Sequence, residues 1–238
     1  MIYAGILAAG TGERMHRQDM PKQFLPLGEK PILIHTLEQF IVNQRIERIL
    51  VIVPEEWKLY AEDMLSQYNF MGKEYVVIPG GLNKTESIGA SVDYIDEMWQ
   101  IKENDILIAH DAIRPFLTQR LIDEHIETVK KYGAANTAMV TNDAILVSKD
   151  GTLLDEIPNH QYVYAEQTPQ SYSLAKLKEL LRKIENSGVL LHNESELPRL
   201  WLKENYEMRL VRGEYFNMKI INPYDLEVAE ALLKERSQ

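Results

Sequence analysis

The chain contains no cysteine among its 238 residues. That absence excludes a disulfide scaffold, a thiolate zinc site, an iron–sulfur cluster and a cysteine nucleophile together. Positive charge is also scarce: 26 Lys+Arg face 36 Asp+Glu, a formal net charge of -10, with a pI of about 5.2. Long polyanions need a basic surface to displace their counterions, so neither nucleic acid nor a membrane surface is an expected partner. A small phosphorylated ligand in a local basic pocket remains compatible with that balance. No apolar run approaches the ~20 residues that span a bilayer. The opening MIYAGILAAG has no basic segment before its apolar one, so a cytoplasmic protein without a secretory signal is expected. Low-complexity tracts, internal repeats and a long linker are missing too, and the expectation is one domain over residues 1–238.

What is present is the balance of a globular protein, 45% hydrophobic and 26% charged. Short Val- and Ile-rich runs alternate with amphipathic stretches, the pattern of βα units around a mostly parallel sheet with helices on both sides. Strands are predicted at Ile2–Leu7, 75–78, 105–109 and Arg48–Val53, whose RILVIV is apolar throughout. A helix over Ile32–Val42 places Leu33, Leu37, Phe40 and Ile41 on one face, with Pro31 suited to its start. Helices are also expected at 85–99 and 118–132, the second capped by Thr118. Residues 141–167 read as a β-arm, with Asp150-Gly151 as the turn of a hairpin. Such a hairpin is too polar to stand alone and is expected to pack on a partner. Helices at 174–184 and 194–203, a strand at 208–211 and a helix after Pro223 complete the pattern.

In open α/β sheets, ligands bind where loops leave the carboxyl ends of strands. The first such loop reads Leu7-Ala8-Ala9-Gly10-Thr11-Gly12-Glu13-Arg14-Met15 and continues to Pro21-Lys22-Gln23. Small residues there let backbone N–H groups approach a phosphate chain, and Arg14 and Lys22 bring cations to it. The loop lacks the GK[ST] of a phosphate-binding kinase and the third glycine of a dinucleotide fingerprint. A plain glycine-rich turn would need neither Arg14 nor the following PKQ.

That extended string resembles the nucleotidyltransferases that activate sugar phosphates. Further motifs follow in order: Gly80-Gly81-Leu82-Asn83-Lys84-Thr85-Glu86-Ser87, His110-Asp111-Ala112-Ile113-Arg114-Pro115-Phe116, Thr168-Pro169-Gln170 and Asn217-Met218-Lys219-Ile220. Over almost its whole length the chain resembles the family of 2-C-methyl-D-erythritol 4-phosphate and ribitol-5-phosphate cytidylyltransferases. Its texture leans toward the ribitol branch. The resemblance implies a Rossmann-like nucleotidyltransferase sheet and a homodimer joined through the β-arm. It also implies CTP-dependent transfer of CMP to a phosphorylated polyol such as ribitol 5-phosphate, with methylerythritol phosphate as the alternative acceptor. Such an enzyme would serve a wall polymer, a capsule or isoprenoid synthesis.

The reaction joins two anions, so the protein must neutralise and align them. Carried over residue by residue, Lys22, Arg14 and Lys219 are the catalytic cations. Ala8, Ala9, Gly10, Thr11, Gly12, Gly81, Leu82, Lys84, Ser87 and Ala112 are the nucleotide-binding positions. Asp111, at the end of an apolar strand, is expected to ligate Mg²⁺ with phosphate oxygens and water completing its shell, and Asn217 is a second oxygen ligand by position. Capping of the next turn, or pairing with Arg114, is the alternative for Asp111. His110 is expected to be structural, and the dispersed histidines show no zinc spacing.

Departures from the family pattern gather at the acceptor end. Asp143 is followed by Ala144 where a threonine is usual, and Pro158-Asn159-His160-Gln161 replaces an arginine of the arm. His192-Asn193 and Ile221 replace further polar positions, while Lys84 stands where arginine is usual. Asp143 and His160 are therefore the acceptor-binding candidates, with His160 a partial substitute for the lost arginine. An enzyme with an altered acceptor and a catalytically weak nucleotide-binding paralogue both explain this pattern. A glycosyltransferase fits the sheet but not PKQ or Lys219.

Overall fold

The computed structural model describes residues 1–10, 20–187 and 197–236. In chain order the elements are β1 (Ile2–Leu7), a small hairpin of β2 (Pro26–Leu27) and β3 (Lys30–Pro31), α1 (Ile32–Val42), β4 (Arg48–Val53), α2 (Lys58–Ser66), β5 (Glu74–Pro79), α3 (Lys84–Trp99) and β6 (Ile106–Asp111). They continue with α4 (Gln119–Tyr132), β7 (Ala134–Val140), β8 (Tyr164–Ser173), α5 (Leu174–Ser187), α6 (Leu197–Lys203), β9 (Arg209–Arg212) and α7 (Pro223–Arg236). Seven strands form one sheet in the order β5-β4-β1-β6-β8-β7-β9. Among them β8 alone runs against its neighbours. The expected mostly parallel α/β sheet with helices on both sides is thus the observed fold.

The sheet is buried on both faces because its central strands are apolar on both. In β4 every residue after Arg48 is buried, as is all of β6. One face packs Leu37 and Phe40 of α1, Leu65 of α2 and Ile126 of α4 against Ile49, Val51 and Ile108. The other packs Ile88 and Val92 of α3, Leu177 of α5 and Trp201 of α6 against Leu50, Leu107 and Tyr172. A third cluster seats α7 on the β2–β3 hairpin through Leu27, Ile220 and Ala229. Each large apolar side chain so buried contributes roughly 1.5–3 kcal/mol.

Local signals set the helix ends. Helix α1 occupies the predicted span, with Pro31 as the preceding residue. Thr118 caps α4 by accepting from Leu121 N, and Gly133 closes it at φ +92, where a side chain would be strained.

The 141–167 segment differs from expectation. Its paired strands are β7 and β8 of the main sheet, and residues 141–163 leave that sheet as an arm with a single bridge, Val147 to Glu156. The Asp150-Gly151 turn is present, with Gly151 at φ +77. The ladder fails because acidic side chains take the backbone donors. Asp150 Oδ1 accepts from Thr152 N and Leu153 N, both at 2.8 Å, and Asp155 Oδ2 accepts from Lys149 N at 2.6 Å. Helix α6 is described from Leu197 to Lys203, and residues 194–196 of the expected span lie outside the described ones. No helix among the described residues is long and apolar enough to cross a membrane.

Candidate active site

The carboxyl ends of β1, β5 and β6 open onto a cavity of about 330 Å³, lined in part by Ala8, Ala9, Gly10, Lys22, Gly81, Leu82, Lys84, Ser87, Asp111 and Lys219. Ten residues proposed from the sequence therefore meet in one place. Thr11, Gly12 and Arg14 lie outside the described residues, as do His192 and Asn193. Ala112 and Asn217 are fully buried beside the cavity. Asp143 and His160 are exposed on the arm and do not line it.

Each wall has a local cause. After Pro21 the chain makes a 3-10 turn that buries Lys22. Gln23 Nε2 donates to Ala8 O at 2.5 Å and fastens that turn to the end of β1. Opposite, a Cβ on Gly80 would lie 2.6 Å from Ala9 Cβ and 3.0 Å from Ser87 Oγ, so only glycine allows the two loops to approach. Asn83 caps α3, accepting from Glu86 N at 2.9 Å. Glu86 reaches back to Asn83 Nδ2 at 2.7 Å and Leu82 N at 2.8 Å. This reciprocal cap fixes Lys84 in the first turn of α3, where the helix end also favours anions.

Asp111 ends β6, and its Oδ2 accepts from Arg114 Nε at 3.1 Å and Lys219 Nζ at 3.2 Å. Burial pushes this carboxyl up, but Lys84, Lys219 and Arg114 outweigh it and hold the pKa well below the usual carboxylate range. The Arg114 pairing weighed from the sequence is therefore real and coexists with Lys219. Lys219 is delivered by a strap: Arg114 Nη1 donates to Asn217 O at 2.8 Å and Ile220 N to Ile113 O at 2.9 Å. Thr36 Oγ1 donates to Ala112 O at 2.7 Å and holds the same turn from below.

A polar chain lies behind Asp111. Thr168 Oγ1 accepts from Asp111 N at 3.1 Å and lies 3.0 Å from His110 Nδ1, while His110 Nε2 lies 3.1 Å from Arg114 O. The carbonyl can only accept, which puts the imidazole proton on Nε2. Burial lowers the His110 pKa to about 4, so the ring is neutral. Gln23, Glu86 and Thr168 stand in the sequence motifs, but sequence reasoning assigned them no individual role. The Asn83…Glu86 capping spacing was the available signal for one of them; Gln23 and Thr168 act through contacts distant in sequence.

The arrangement offers three lysines and one carboxylate in a single cavity with a backbone-lined floor. That is machinery for neutralising phosphates rather than for forming a covalent intermediate. A model of 2-C-methyl-D-erythritol 4-phosphate cytidylyltransferase matches residues 2–235. The chain belongs to that family. Similar structures include a 4-diphosphocytidyl-2C-methyl-D-erythritol synthase from Anaerococcus prevotii, 25% identical, covering 98% of this chain and 96% of the other at a TM-score of 0.80. The 2-C-methyl-D-erythritol 4-phosphate cytidylyltransferase of Francisella tularensis is also 25% identical, with 97% and 98% coverage and a TM-score of 0.79. That of Thermus thermophilus is 24% identical, with 98% coverage of both chains and a TM-score of 0.73. As a member of this family the chain is a CTP-dependent cytidylyltransferase. The family model and these structures lend no support to the ribitol leaning of the sequence.

Proposed function

We propose that the protein transfers CMP from CTP to 2-C-methyl-D-erythritol 4-phosphate. The observation that carries this reading is the meeting of Lys22, Lys84, Lys219 and Asp111 in one cavity of a chain matched along almost its whole length by that family. A phosphate oxygen of the acceptor forms a bond to the α-phosphorus of CTP, and the bond to the bridging oxygen breaks to release pyrophosphate. Lys22, with Arg14, neutralises the triphosphate; Lys219 lies across the site, near the α-phosphate and the acceptor. The Gly81–Leu82 backbone and Ser87 face the cytosine, and Ala8, Ala9 and Ala112 supply the close approach beside Gly10.

Asp111 suits Mg²⁺, a hard ion that takes one or two carboxylates and fills its shell with phosphate oxygens and water. Asn217 Oδ1, buried and without a hydrogen-bond partner among the described residues, is the second oxygen candidate. When bound, the ion supplies positive charge to the phosphates; the lysines orient them.

The arm supports a homodimer formed by a second copy of this chain. Leu146, Leu153, Leu154 and Ile157 are all more than half exposed, an apolar set that a lone polar loop has no reason to display. Asp143 and His160 on that arm would then serve a neighbouring acceptor pocket. The departures beside them, Ala144 and the Pro158-Asn159-His160-Gln161 stretch, favour a second reading, in which the acceptor is an alditol phosphate such as ribitol 5-phosphate.

Pyrophosphate release with purified protein, Mg²⁺, each nucleoside triphosphate and a panel of acceptors tests all of this. Turnover with CTP and methylerythritol phosphate is expected. Turnover only with ribitol 5-phosphate selects the second reading. CTP binding without turnover on any acceptor overturns both in favour of a binding paralogue.

A further inference from the structure

Across the sheet, β1 carries the Ala8–Gly10 loop, β6 carries Asp111, and β8 and β7 follow on the far side of β6. Directly opposed residues of an antiparallel ladder share a face, and alternate residues of one strand do too. Gln170 opposes Ala109 on one side and Asn136 on the other. Gln170 and Asn136 therefore stand on the Asp111 face, on the side away from the nucleotide loop.

These two amides make an unusual arrangement. Asn136 Nδ2 and Gln170 Nε2 both donate to one oxygen, Glu166 Oε1, at 2.8 and 2.6 Å. The carboxylate fixes both orientations, because a flipped amide would set oxygen against oxygen. The two carbonyl oxygens, Asn136 Oδ1 and Gln170 Oε1, are buried and accept no hydrogen bond among the described residues. Their residues are 9% and 1% exposed, whereas Glu166 is exposed. The nitrogen and oxygen of one amide lie about 2.3 Å apart, so both bare oxygens fall within about 5 Å of Glu166 Oε1. On the same face the Tyr172 hydroxyl is also buried without a partner. Its pKa is raised by burial and then by the Glu166 charge.

A buried acceptor without a donor is costly, and two beside a carboxylate call for a ligand rich in O–H donors. The position suits the acceptor. Glu166 and Thr168 are two residues apart on β8, roughly 7 Å, and Thr168 Oγ1 takes the Asp111 N–H. Asp111 and the amide pair are thus on the order of 10 Å apart, the span of a short polyol chain ending in phosphate.

We infer that Glu166, oriented by Asn136 and Gln170, binds the hydroxyl groups of the acceptor while its phosphate lies at Asp111 and Lys219. This rests on the cytidylyl-transfer reading and names the groups that select the acceptor. Glu166 contacts the substrate; Asn136 and Gln170 are positioning residues that also offer their carbonyl oxygens to it.

The test compares wild-type protein with Glu166→Ala, a surface change whose fold is checked by thermal melting, and with Gln170→Met. In steady-state pyrophosphate release both variants should raise the acceptor KM by about tenfold or more and leave the CTP KM unchanged. Glu166→Ala should also erase the preference for the full polyol phosphate over glycerol 3-phosphate, which lacks the distal hydroxyls; a purely structural role would not move that ratio. Calorimetric titration of methylerythritol phosphate and ribitol 5-phosphate into the protein with CMP present gives a readout independent of turnover. Binding by the wild type that Glu166→Ala weakens supports the inference even if no acceptor is converted, in which case the transfer reading alone fails. Equal affinities for the two proteins, or no binding to the wild type, overturn it.

Discussion

Lys219 Nζ lies 3.2 Å from Asp111 Oδ2, an oxygen that Arg114 Nε shares at 3.1 Å. The carboxylate thus balances cations that would otherwise repel one another at the place where phosphates must gather. Asp111→Asn should keep the sheet but lower kcat by about 10²–10³ and reduce the melting temperature. Pyrophosphate release and a melting curve check this; a kcat close to wild type would remove Asp111 from the reaction.

Lys22 is buried at a turn fastened to β1 by Gln23. Lys22→Ala should lose about 10²–10³ in kcat with an unchanged circular dichroism spectrum. Near wild-type turnover would show that the cation serves only packing.

Gly80 stands where an added Cβ would meet Ala9 Cβ at 2.6 Å. Gly80→Ala should force the two nucleotide loops apart, destabilising by about 1–3 kcal/mol. CTP affinity should fall while acceptor binding holds, which titration of each ligand separately can show. A parallel loss of both would point to general unfolding instead.

Acid should weaken the fold through two buried histidines. Burial lowers His110 to about 4; it also lowers His125 to about 3, with a smaller contribution from His110. His125 lies 2.8 Å from both Ser171 Oγ and Thr137 Oγ1. The unfolded chain protonates both rings near pH 6.5 and the folded one does not. Their contribution is therefore complete above that pH and declines by about 1.4 kcal/mol per pH unit per ring as pH falls toward the folded values. Asp111, also depressed, adds its own loss only below about pH 4. Urea unfolding between pH 7.5 and 5 should show this slope, and His125→Gln should roughly halve it.

The arm displays Leu153 and Leu154 to solvent. Replacing both with Asp should give a monomer by light scattering where the wild type gives a dimer, with the melting temperature of the sheet little changed. A monomeric wild type at micromolar concentration would remove the shared pocket.

The elements that the sequence revealed are those whose pattern serves one purpose. RILVIV is apolar because β4 is covered on both faces, and α1 shows its period because one face alone is buried. Strand β7, AANTAMV, escaped prediction because alanine, Asn136 and Thr137 carry no strand signal; tertiary context holds it, with His125 bonded to Thr137. Strand β8 was hidden by Pro169, which has no ladder donor; its pairing with β7 shifts register between Asn136 and Ala138. The cavity was largely legible because loops after parallel strands must supply it and their motifs are local. Gln23 and Thr168 stood in recognisable motifs, but their roles, Gln23 on Ala8 and Thr168 on Asp111, depend on contacts distant in sequence that no local pattern shows.

Strand β8 is hydrogen-bonded to β6 on one side and β7 on the other. Its outer end, Tyr164, is the root of the arm, and four residues along, Thr168 holds the Asp111 backbone. Between those two points, about 13 Å apart, β8 is paired with β7 alone, because its ladder to β6 covers Gln170 to Ser173. In the proposed dimer, a second copy seated on the arm would pull on Tyr164, and the β7 ladder and Thr168 would carry that pull to the Asp111 backbone. Assembly through the arm would then reach the reaction centre by a mechanical route.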